Sequence, residues 1–363
     1  MAHALRFAGV VLPEREHRQL YVIGDRITYE PVAGAETVAS AGFLVPGLVD
    51  AHCHIGLDEH GAVDPETQTE QARTDRDSGA LLLRDAGSAA DTRWIDDRVD
   101  LPRLIRAGRH IARPKRYIRN YGVEIEPDQL VPAVEEQARR GDGWVKLVGD
   151  WIDRGKGDLA PLWPADELAR AIGRAHALGA RVTAHVFGAE GIPDLLNAGI
   201  DCLEHGVGLT DDLIDQMARD QVALVPTRLQ VDNFPSYAEQ GYARFPAYSA
   251  HIESLYARVD TMIRHAYQAG VPIFAGTDAG GVLPHGLIAR EIQELAAKGG
   301  LDPADALAAG SWRAREWLGL PGSLTEGAPA DFVVYAADPL RDLSVLSTPS
   351  QVVLRGQVVR SNW

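Results

Sequence analysis

The feature that most constrains the fold of this chain is the stretch 42–54, an apolar run that ends in His52-Cys53-His54. Glycine and proline bound the run, which predicts a buried β-strand. Side chains alternate between the two faces of a strand, so His52 and His54 are expected on one side and Cys53 on the other. Two histidines on the same side of a strand end can bind one metal ion, and the stretch therefore predicts a metal site.

Four further residues of ligand type each lie at or near the end of a later strand-like run: Lys146, His185, His205 and Asp278. A single histidine on an apolar strand is more often a core residue with a satisfied hydrogen bond, but two on successive runs favour a ligand pair. In this order the motifs resemble the amidohydrolase superfamily of metal-dependent hydrolases, in particular its prolidase- and imidazolonepropionase-like branch. The resemblance extends from about residue 45 to the C-terminus.

The central part of the chain alternates strand-like runs with helix-like stretches, which predicts parallel βα units. The strand-like runs number eight, at 43–52, 80–85, 116–121, 144–148, 181–186, 201–205, 222–226 and 271–276. Helical spacing of apolar residues predicts helices at 130–140, 165–178, 211–219 and 255–269. Eight βα units close into a (β/α)8 TIM barrel of the α/β class, whose reaction site lies at the C-terminal ends of the strands.

Both ends of the chain carry short β-type runs, at 4–12, 19–23 and 26–29, and again at 331–335, 351–354 and 355–359. Neither end alone provides enough strands for a stable sheet. We therefore expect residues 1–44 and 324–363 to form one composite β-sandwich domain, attached to a metal-dependent catalytic barrel at 45–323.

Composition narrows the class of partner. With 363 residues, 45% of them hydrophobic, the chain can bury a barrel core and a smaller appendage. Its formal net charge of -15 disfavours nucleic acid or an anionic membrane surface as partner. No stretch of about 18 apolar residues is present, and the N-terminus lacks the apolar core of a secretion signal. We expect a cytoplasmic homo-oligomer acting on a small molecule, with Cys53 and Cys202 buried rather than disulfide-bonded.

The resemblance implies a binuclear centre of two divalent metal ions, and zinc is the expected species. The first ion would be held by His52, His54 and Asp278, and the second by His185 and His205.

Lys146 leaves two interpretations open, because a buried ammonium group is costly unless it is paired or neutral. One is a salt bridge with Asp150 or Asp85. The other is implied by the resemblance: the neutral amine takes up carbon dioxide and becomes a carbamate (carboxylysine) that bridges the two metals.

The predicted reaction is hydrolysis of a C–N bond in a small amide, dipeptide, N-acyl amino acid or cyclic amide. Metal coordination lowers the pKa of water from about 16 to near 7, so that hydroxide is available at neutral pH. Asp278 and His205 are the predicted catalytic residues, and Asp278 would pass the proton of the water to the leaving amine. Two other interpretations stay open: a mononuclear deaminase- or imidazolone-type hydrolase with free Lys146, and a non-catalytic binding protein on the same barrel.

Four loop residues are predicted to contact substrate: Tyr121, Trp151, Arg228 and His285. Tyr121 lies where relatives often have Gly-Gly-His-Gly, and it is expected to orient a carbonyl. Trp151 belongs to a glycine-containing stretch that could cover a pocket, and Arg228 could pair with a substrate carboxylate. Ordinary loop or capping roles are the alternative for Tyr121, Arg228 and His285.

The remaining polar residues of interest are expected to be structural. Asp85, at the end of a strand-like run, is expected to orient neighbouring groups rather than to bind metal. The histidines on helix-like stretches are expected to be structural or to face solvent: His110, His176, His251 and His265.

Overall fold

The computed structural model describes residues 4–361 of the chain. Its strands are β1 Ala4–Val11, β2 Glu16–Ile23, β3 Arg26–Thr28, β4 Glu36–Ala39, β5 Phe43–Pro46, β6 Leu48–Cys53, β7 Leu57–Asp58, β8 Gly61–Ala62, β9 Ala80–Asp85, β10 Arg103–Arg106, β11 Ile111–Ala112, β12 Val123–Glu124, β13 Trp144–Val148, β14 Asp150–Asp153, β15 Asp158–Pro161, β16 Arg181–Val186, β17 Cys202–His205, β18 Ala223–Val225, β19 Phe332–Tyr335, β20 Gln351–Leu354 and β21 Gln357–Ser361. The α-helices are α1 Pro65–Asp77, α2 Leu130–Arg140, α3 Ala165–Ala177, α4 Ile192–Asn197, α5 Asp211–Asp220, α6 Arg228–Val231, α7 Phe234–Gly241, α8 Pro246–Ala269, α9 Ile288–Ala297, α10 Pro303–Ala309 and α11 Trp312–Trp317.

The two ends of the chain share one eight-stranded sheet, with strand order β21-β20-β19-β5-β1-β2-β3 and with β4 paired to β1. The two ends meet where β19 runs antiparallel to β5, and β5 in turn runs parallel to β1. Apolar side chains from both ends, including Phe7 and Phe332, pack into a separate cluster on this sheet. The predicted pairing of the termini is confirmed, whereas the sandwich architecture stays a prediction.

The middle of the chain forms two parallel ladders, β10-β9-β6 and β12-β11-β13-β16-β17-β18. The segment 271–279 runs between them: the Leu224 amide donates to the Pro272 carbonyl (2.8 Å), and the Ala51 amide donates to the Ala275 carbonyl (2.9 Å). The predicted mixed α/β class is confirmed. Over residues 4–361 the ladders meet through such bonds and single bridges rather than longer strand pairings, so barrel closure stays a prediction.

The predicted third strand, at 116–121, is wrong: these residues form a loop of turns and bends. The third strand is instead β10, which runs parallel to β9 and ends at Arg106. Arg106 is buried, and its guanidinium pairs with Asp96 (2.8 Å) and Asp142 (3.1 Å). Buried charge of this kind is stabilised by partners distant in sequence, so local hydrophobicity does not reveal the strand.

Two other predicted runs also differ in the structure. The run 43–52 divides at Gly47, so that β5 belongs to the terminal sheet and β6 to a parallel ladder. A Cβ atom at Gly47 would lie 2.7 Å from Leu81 Cδ1, so only glycine fits at this crossing. The run 271–276 is extended but contributes only a single bridge, at Ile273.

All four predicted helices are present, and three agree with the prediction to within one residue. The fourth, α8, begins at Pro246, nine residues earlier than the apolar spacing suggested, and it ends at Ala269, directly before Gly270, whose φ is 86°. Proline in the first turn and glycine in the left-handed conformation are typical of the two helix ends. None of the helices formed by residues 4–361 is long and apolar enough to cross a membrane.

Candidate metal centre

The structure brings the six predicted ligands to the ends of the parallel strands. Four of them lie on strands, namely His52 on β6, Lys146 on β13, His185 on β16 and His205 on β17. His54 and Asp278 lie just beyond, and the Asp278 amide donates to the His52 carbonyl (2.7 Å). The side chains are buried, apart from 15% exposure of Asp278.

The two histidines of the opening pair present their Nε2 atoms to the same point, as predicted. His52 Nδ1 donates to Glu204 Oε2 (2.7 Å), and His54 Nδ1 donates to the Gly87 carbonyl (2.7 Å). Because both acceptors lack a proton, each neutral imidazole carries its hydrogen on Nδ1. The Nε2 atoms, which then carry lone pairs, lie 3.2 Å apart. This arrangement leaves two free lone pairs directed into one small space.

Asp278 completes this group. Its Oδ1 atom lies 3.2 Å from His52 Nε2 and 3.0 Å from His54 Nε2. One ligand atom each from His52, His205 and Asp278 lies within 4.8 Å of the other two. Burial opposes ionisation of Asp278, but positive charge on His52 and hydrogen bonds with His52 and His54 hold the pKa of its carboxyl well below the usual value when the Nε2 atoms carry protons. The carboxylate is therefore charged at neutral pH and available to a cation. A proton and a metal ion would therefore compete for the same three atoms.

His185 and His205 form the second part of the cluster. Their ring centroids lie 4.7 Å apart, and that of His205 lies 5.3 Å from that of His52. Burial lowers the pKa of His185 well below its usual value and lowers that of His205 to about 3. Over residues 4–361 the buried Nε2 of His185 has no hydrogen-bond partner, and Asp150 Oδ1 lies 3.9 Å away. Both rings are thus neutral, which is the form that binds metal.

Lys146 is 1% exposed, and among residues 4–361 its ammonium forms no ion pair within 4.0 Å. The carboxylates that could have paired with it are engaged elsewhere: Asp150 accepts from the Phe187 amide (3.0 Å), and Asp85 accepts from the Gly87 amide (2.9 Å). Burial lowers the pKa of Lys146, although nearby carboxylates oppose this. The salt-bridge interpretation therefore finds no support in the geometry.

Sequence reasoning missed the charged pair beneath the cluster. Glu204 and Arg84 are fully buried, and Arg84 Nη2 donates to Glu204 Oε1 (2.6 Å). The same carboxylate accepts from His52 Nδ1 and from the Thr183 hydroxyl. Burial opposes its ionisation, but Arg84 and His52 hold the pKa of Glu204 well below its usual value. The available signal was a glutamate directly before His205 in an otherwise apolar strand.

A cavity of about 500 Å³ opens next to the cluster, with His54, His185 and Asp278 in its wall. Aromatic side chains make up much of the remaining wall: Tyr117, Tyr121, Trp151, Phe187, Tyr237, Phe245 and Tyr248. Of the four predicted substrate contacts, Tyr121 and Trp151 line this cavity. Among residues 4–361, Arg244 is the one arginine or lysine that lines the cavity, and it lies at an exposed position.

Arg228 and His285 do not line the cavity, which corrects their predicted contact with substrate. The buried guanidinium of Arg228 pairs with Asp260 (2.6 Å) and Asp232 (2.7 Å), so its charge is already compensated. His285 Nδ1 lies 2.8 Å from Asp75 Oδ2, and this pairing holds the loop after Asp278 against α1.

Asp85 fits its predicted orienting role, because it binds the amide of Gly87, whose carbonyl holds His54. The histidines predicted to be structural divide into two groups. Three lie on helices with a ring nitrogen beside an aspartate, namely His176 beside Asp201, His251 beside Asp158 and His265 beside Asp211. His110 instead lies in a loop, fully buried, with its ring centroid 5.1 Å from that of His54.

The model of the amidohydrolase family matches residues 43–359. This chain belongs to the amidohydrolase family. The predicted family is thereby confirmed, and the predicted hydrolase class is supported at the level of the family.

Individual relatives agree with this assignment. An uncharacterized protein of Mycobacterium tuberculosis is 55% identical over 354 residues, which cover 97% of this chain and 95% of that protein. Ochratoxinase of Aspergillus niger is 29% identical over 231 residues, covering 62% of this chain and 47% of the enzyme. A crystal structure of an Xaa-Pro dipeptidase with methionine bound in its active site superposes with a TM-score of 0.83 at 22% identity, covering 98% of this chain and 99% of the other. The last likeness shows a shared fold.

Proposed function

We propose that this amidohydrolase is a metal-dependent enzyme that hydrolyses a C–N bond in a small amide, peptide-like or cyclic amide substrate. The observation that carries the proposal is the pair of Nε2 atoms of His52 and His54. They lie 3.2 Å apart and share contact with Asp278 Oδ1 at the wall of a cavity. Lone pairs directed at one another at this distance are unfavourable without a proton or a cation between them.

The donor set fits divalent ions of the kind that bind imidazole and carboxylate, and zinc is the species we propose. The first ion would be held by His52, His54 and Asp278, and the second by His185 and His205. When bound, such ions supply an activated water and polarise the amide carbonyl. Lys146 would help to hold the ions as a carbamate, which forms only from a neutral amine, and burial lowers the pKa of this amine.

The chain's own part in the reaction is the transfer of a proton. Asp278, charged and facing the cavity, would accept the proton of the attacking water on a carboxylate oxygen and donate it to the nitrogen of the leaving amine. His205 would stay neutral at the same centre, because its pKa is about 3. Glu204 and the Gly87 carbonyl would fix the rings of His52 and His54.

The architecture we propose around this site is a (β/α)8 barrel over residues 45–323, with a composite β-domain from residues 1–44 and 324–363. Backbone hydrogen bonds from the segment 271–279 to both parallel ladders support barrel closure. The shared eight-stranded sheet supports the composite domain.

A single-ion version of the same enzyme is the second candidate, because His52, His205 and Asp278 have ligand atoms that lie within 4.8 Å of one another and could meet at one ion. Two measurements test the proposals. Metal content per chain should approach two, and a value near one would select the mononuclear enzyme. Hydrolysis of N-acyl amino acids, dipeptides and lactams should stop when a chelator is added. A chain without bound metal, whose function survives replacement of His52 and His54 by alanine, would be a binding protein instead.

A further inference from the structure

We propose that Tyr117 supplies the hydrogen-bond donor for the carbonyl oxygen of the substrate, the role that the sequence suggested for Tyr121. This inference rests on the proposed amide hydrolysis and concerns how the same site recognises the reacting group. It adds a catalytic residue that no motif of the chain indicates.

Tyr117 is the cavity tyrosine that packs on the metal cluster. Its ring centroid lies 5.5 Å from that of His185 and 5.2 Å from that of His110. Trp151 lies on a further side, at 4.8 Å between centroids. Of the tyrosines that line the cavity, Tyr117 alone has ring contacts with a proposed metal ligand in the part of the chain that the structure describes.

Three other tyrosines line the cavity, and each is less well placed to donate to a substrate at the cluster: Tyr121, Tyr237 and Tyr248. Tyr121 donates to the Asp58 carbonyl (2.6 Å), which uses its only proton. Tyr237 accepts from Gln230 Nε2 (3.1 Å) and so keeps its own proton, but its ring packs on Phe234. Within residues 4–361 neither Tyr237 nor Tyr248 has a ring contact with a histidine of the cluster. The Tyr117 hydroxyl, by contrast, makes no hydrogen bond to any residue between 4 and 361. A phenol in a cavity wall without a partner is available to a ligand.

The backbone around Tyr117 is fixed on both sides, so the side chain is positioned before substrate arrives. Arg116 binds Asp153 (2.8 Å) and the Trp151 carbonyl (3.0 Å) on the β14–β15 hairpin. Downstream, Asn120 Nδ2 donates to the His60 carbonyl (3.1 Å). A donor held in this way costs little conformational entropy when it meets the reacting atom.

The chemical step needs such a donor. When water adds to the amide carbon, the carbonyl π electrons move to oxygen, and negative charge develops there. A neutral phenol can stabilise that oxygen by donating a hydrogen bond while it keeps its own proton. The proton of the water still passes to the leaving amine through Asp278, so Tyr117 is neither acid nor base in the balanced reaction.

The experiment compares Tyr117→Phe with Tyr121→Phe, two changes that each remove one hydroxyl from the same loop and keep the ring. For the metal-loaded protein we expect Tyr117→Phe to lower kcat by about 100-fold on the amide of the panel that wild type hydrolyses fastest. Tyr121→Phe should lower kcat by less than Tyr117→Phe does. Tyr267→Phe, which removes the hydroxyl of a tyrosine on α8 that does not line the cavity, should stay within about threefold of wild type, and KM should change little in any of the three variants. Tyr117→His, which restores a donor, should recover part of the loss.

A second measurement does not require turnover. N-methylphosphonate-L-phenylalanine mimics the tetrahedral state, and L-phenylalanine mimics a product. Tyr117→Phe should weaken phosphonate affinity by a factor similar to the loss in kcat, and it should leave product affinity and metal content unchanged. Equal phosphonate affinity in wild type and Tyr117→Phe would overturn the assignment. Absence of both turnover and phosphonate binding in the wild type would instead reject the proposed function itself.

Discussion

The metal cluster and the cavity wall beside it are built in opposite ways. The rings of the proposed ligands are fixed by hydrogen bonds within the protein at the nitrogen that faces away from the metal site. His52 Nδ1 binds Glu204, and His54 Nδ1 binds the Gly87 carbonyl. The cavity wall consists mainly of aromatic rings, and two of its polar groups make no side-chain hydrogen bond or ion pair among residues 4–361. They are the Tyr117 hydroxyl and the Arg244 guanidinium, which lies 5.1 Å from the centroid of the Phe245 ring.

This difference suits the cluster to the chemical reaction and the cavity wall to the choice of substrate. Groups that must stay within fractions of an ångström are fixed by buried partners, whose loss would leave uncompensated charge. Groups that contact a variable substrate can change with little effect on the rest of the structure. Substitutions in the cluster should therefore affect kcat and metal binding, and substitutions in the wall should affect substrate preference.

Asp278→Asn should have the largest effect of the changes considered. The amide retains the size of the side chain but cannot accept and return a proton, so kcat should fall by about 1000-fold, within the range for general acid–base groups. Metal content, measured by mass spectrometry on the same preparation, controls for loss of the ion. A variant that retains both metal and turnover would assign the proton to another group.

Glu204→Gln tests the support behind the ligands. Its amide cannot compensate the charge of buried Arg84, and it binds His52 Nδ1 less strongly, so metal affinity should weaken by about 10- to 100-fold. The matched control is Glu291→Gln, because Glu291 is also buried but binds the amides of Arg228 and Leu229. Competition with a chromophoric chelator gives both affinities. Similar losses in the two variants would mean that burial of a glutamate, rather than contact with a ligand, sets metal affinity.

Asp85→Asn tests the support behind His54, because Asp85 binds the amide of Gly87, whose carbonyl holds His54. The quantity measured is the dependence of folding stability on pH. Burial raises the pKa of Asp85 to about 7, although the Gly87 amide opposes this. The unfolded chain releases this proton near pH 4, so between pH 4 and 7 the folded state binds more protons, and its stability falls as pH rises. Between pH 5 and 8 the wild type should lose at least about 1.4 kcal/mol more unfolding free energy than the variant, the equivalent of one pKa unit. Parallel pH profiles from urea titrations would contradict the raised pKa.

Arg244→Gln tests the cavity wall and should have the smallest effect. An exposed ion pair contributes under about 1 kcal/mol, so KM for an N-acyl amino acid should rise by about two- to fivefold with kcat unchanged. The methyl ester of the same substrate lacks the charge, and its KM should not respond. Arg228→Gln is the contrasting variant, since its guanidinium is already bound by Asp260 and Asp232. A carboxylate-specific effect in Arg228→Gln alone would restore the role that the sequence suggested for it.

The ligand cluster was predictable from sequence because it follows local rules. Strand periodicity directs His52 and His54 to one side, and strand ends meet at one edge of a parallel sheet. His185 and His205 are the polar exceptions in apolar strands, which is a signal within a few residues. The resemblance to a family then joined these separate signals into one site.

Other features depend on partners that are distant in sequence. Arg228 looked available, but Asp260 lies 32 positions downstream on α8 and binds it. The strand β10 was not predicted because it ends in the charged Arg106, whose partners Asp96 and Asp142 lie outside the strand. The choice between Tyr117 and Tyr121 likewise depends on the Asp58 carbonyl, which a linear pattern does not reveal.

The junction at Gly47 has a consequence for how the protein is made. A single residue separates β5, whose neighbour β19 comes from the far end of the chain, from β6, which leads to the opening histidines. During synthesis β5 cannot pair with β19 until β19 has left the ribosome. The strand before the opening histidines therefore completes its pairing late, although β1 and β9 already flank β5 and β6. Loss of β19 should leave β5 with one free edge and loosen the segment that leads to His52.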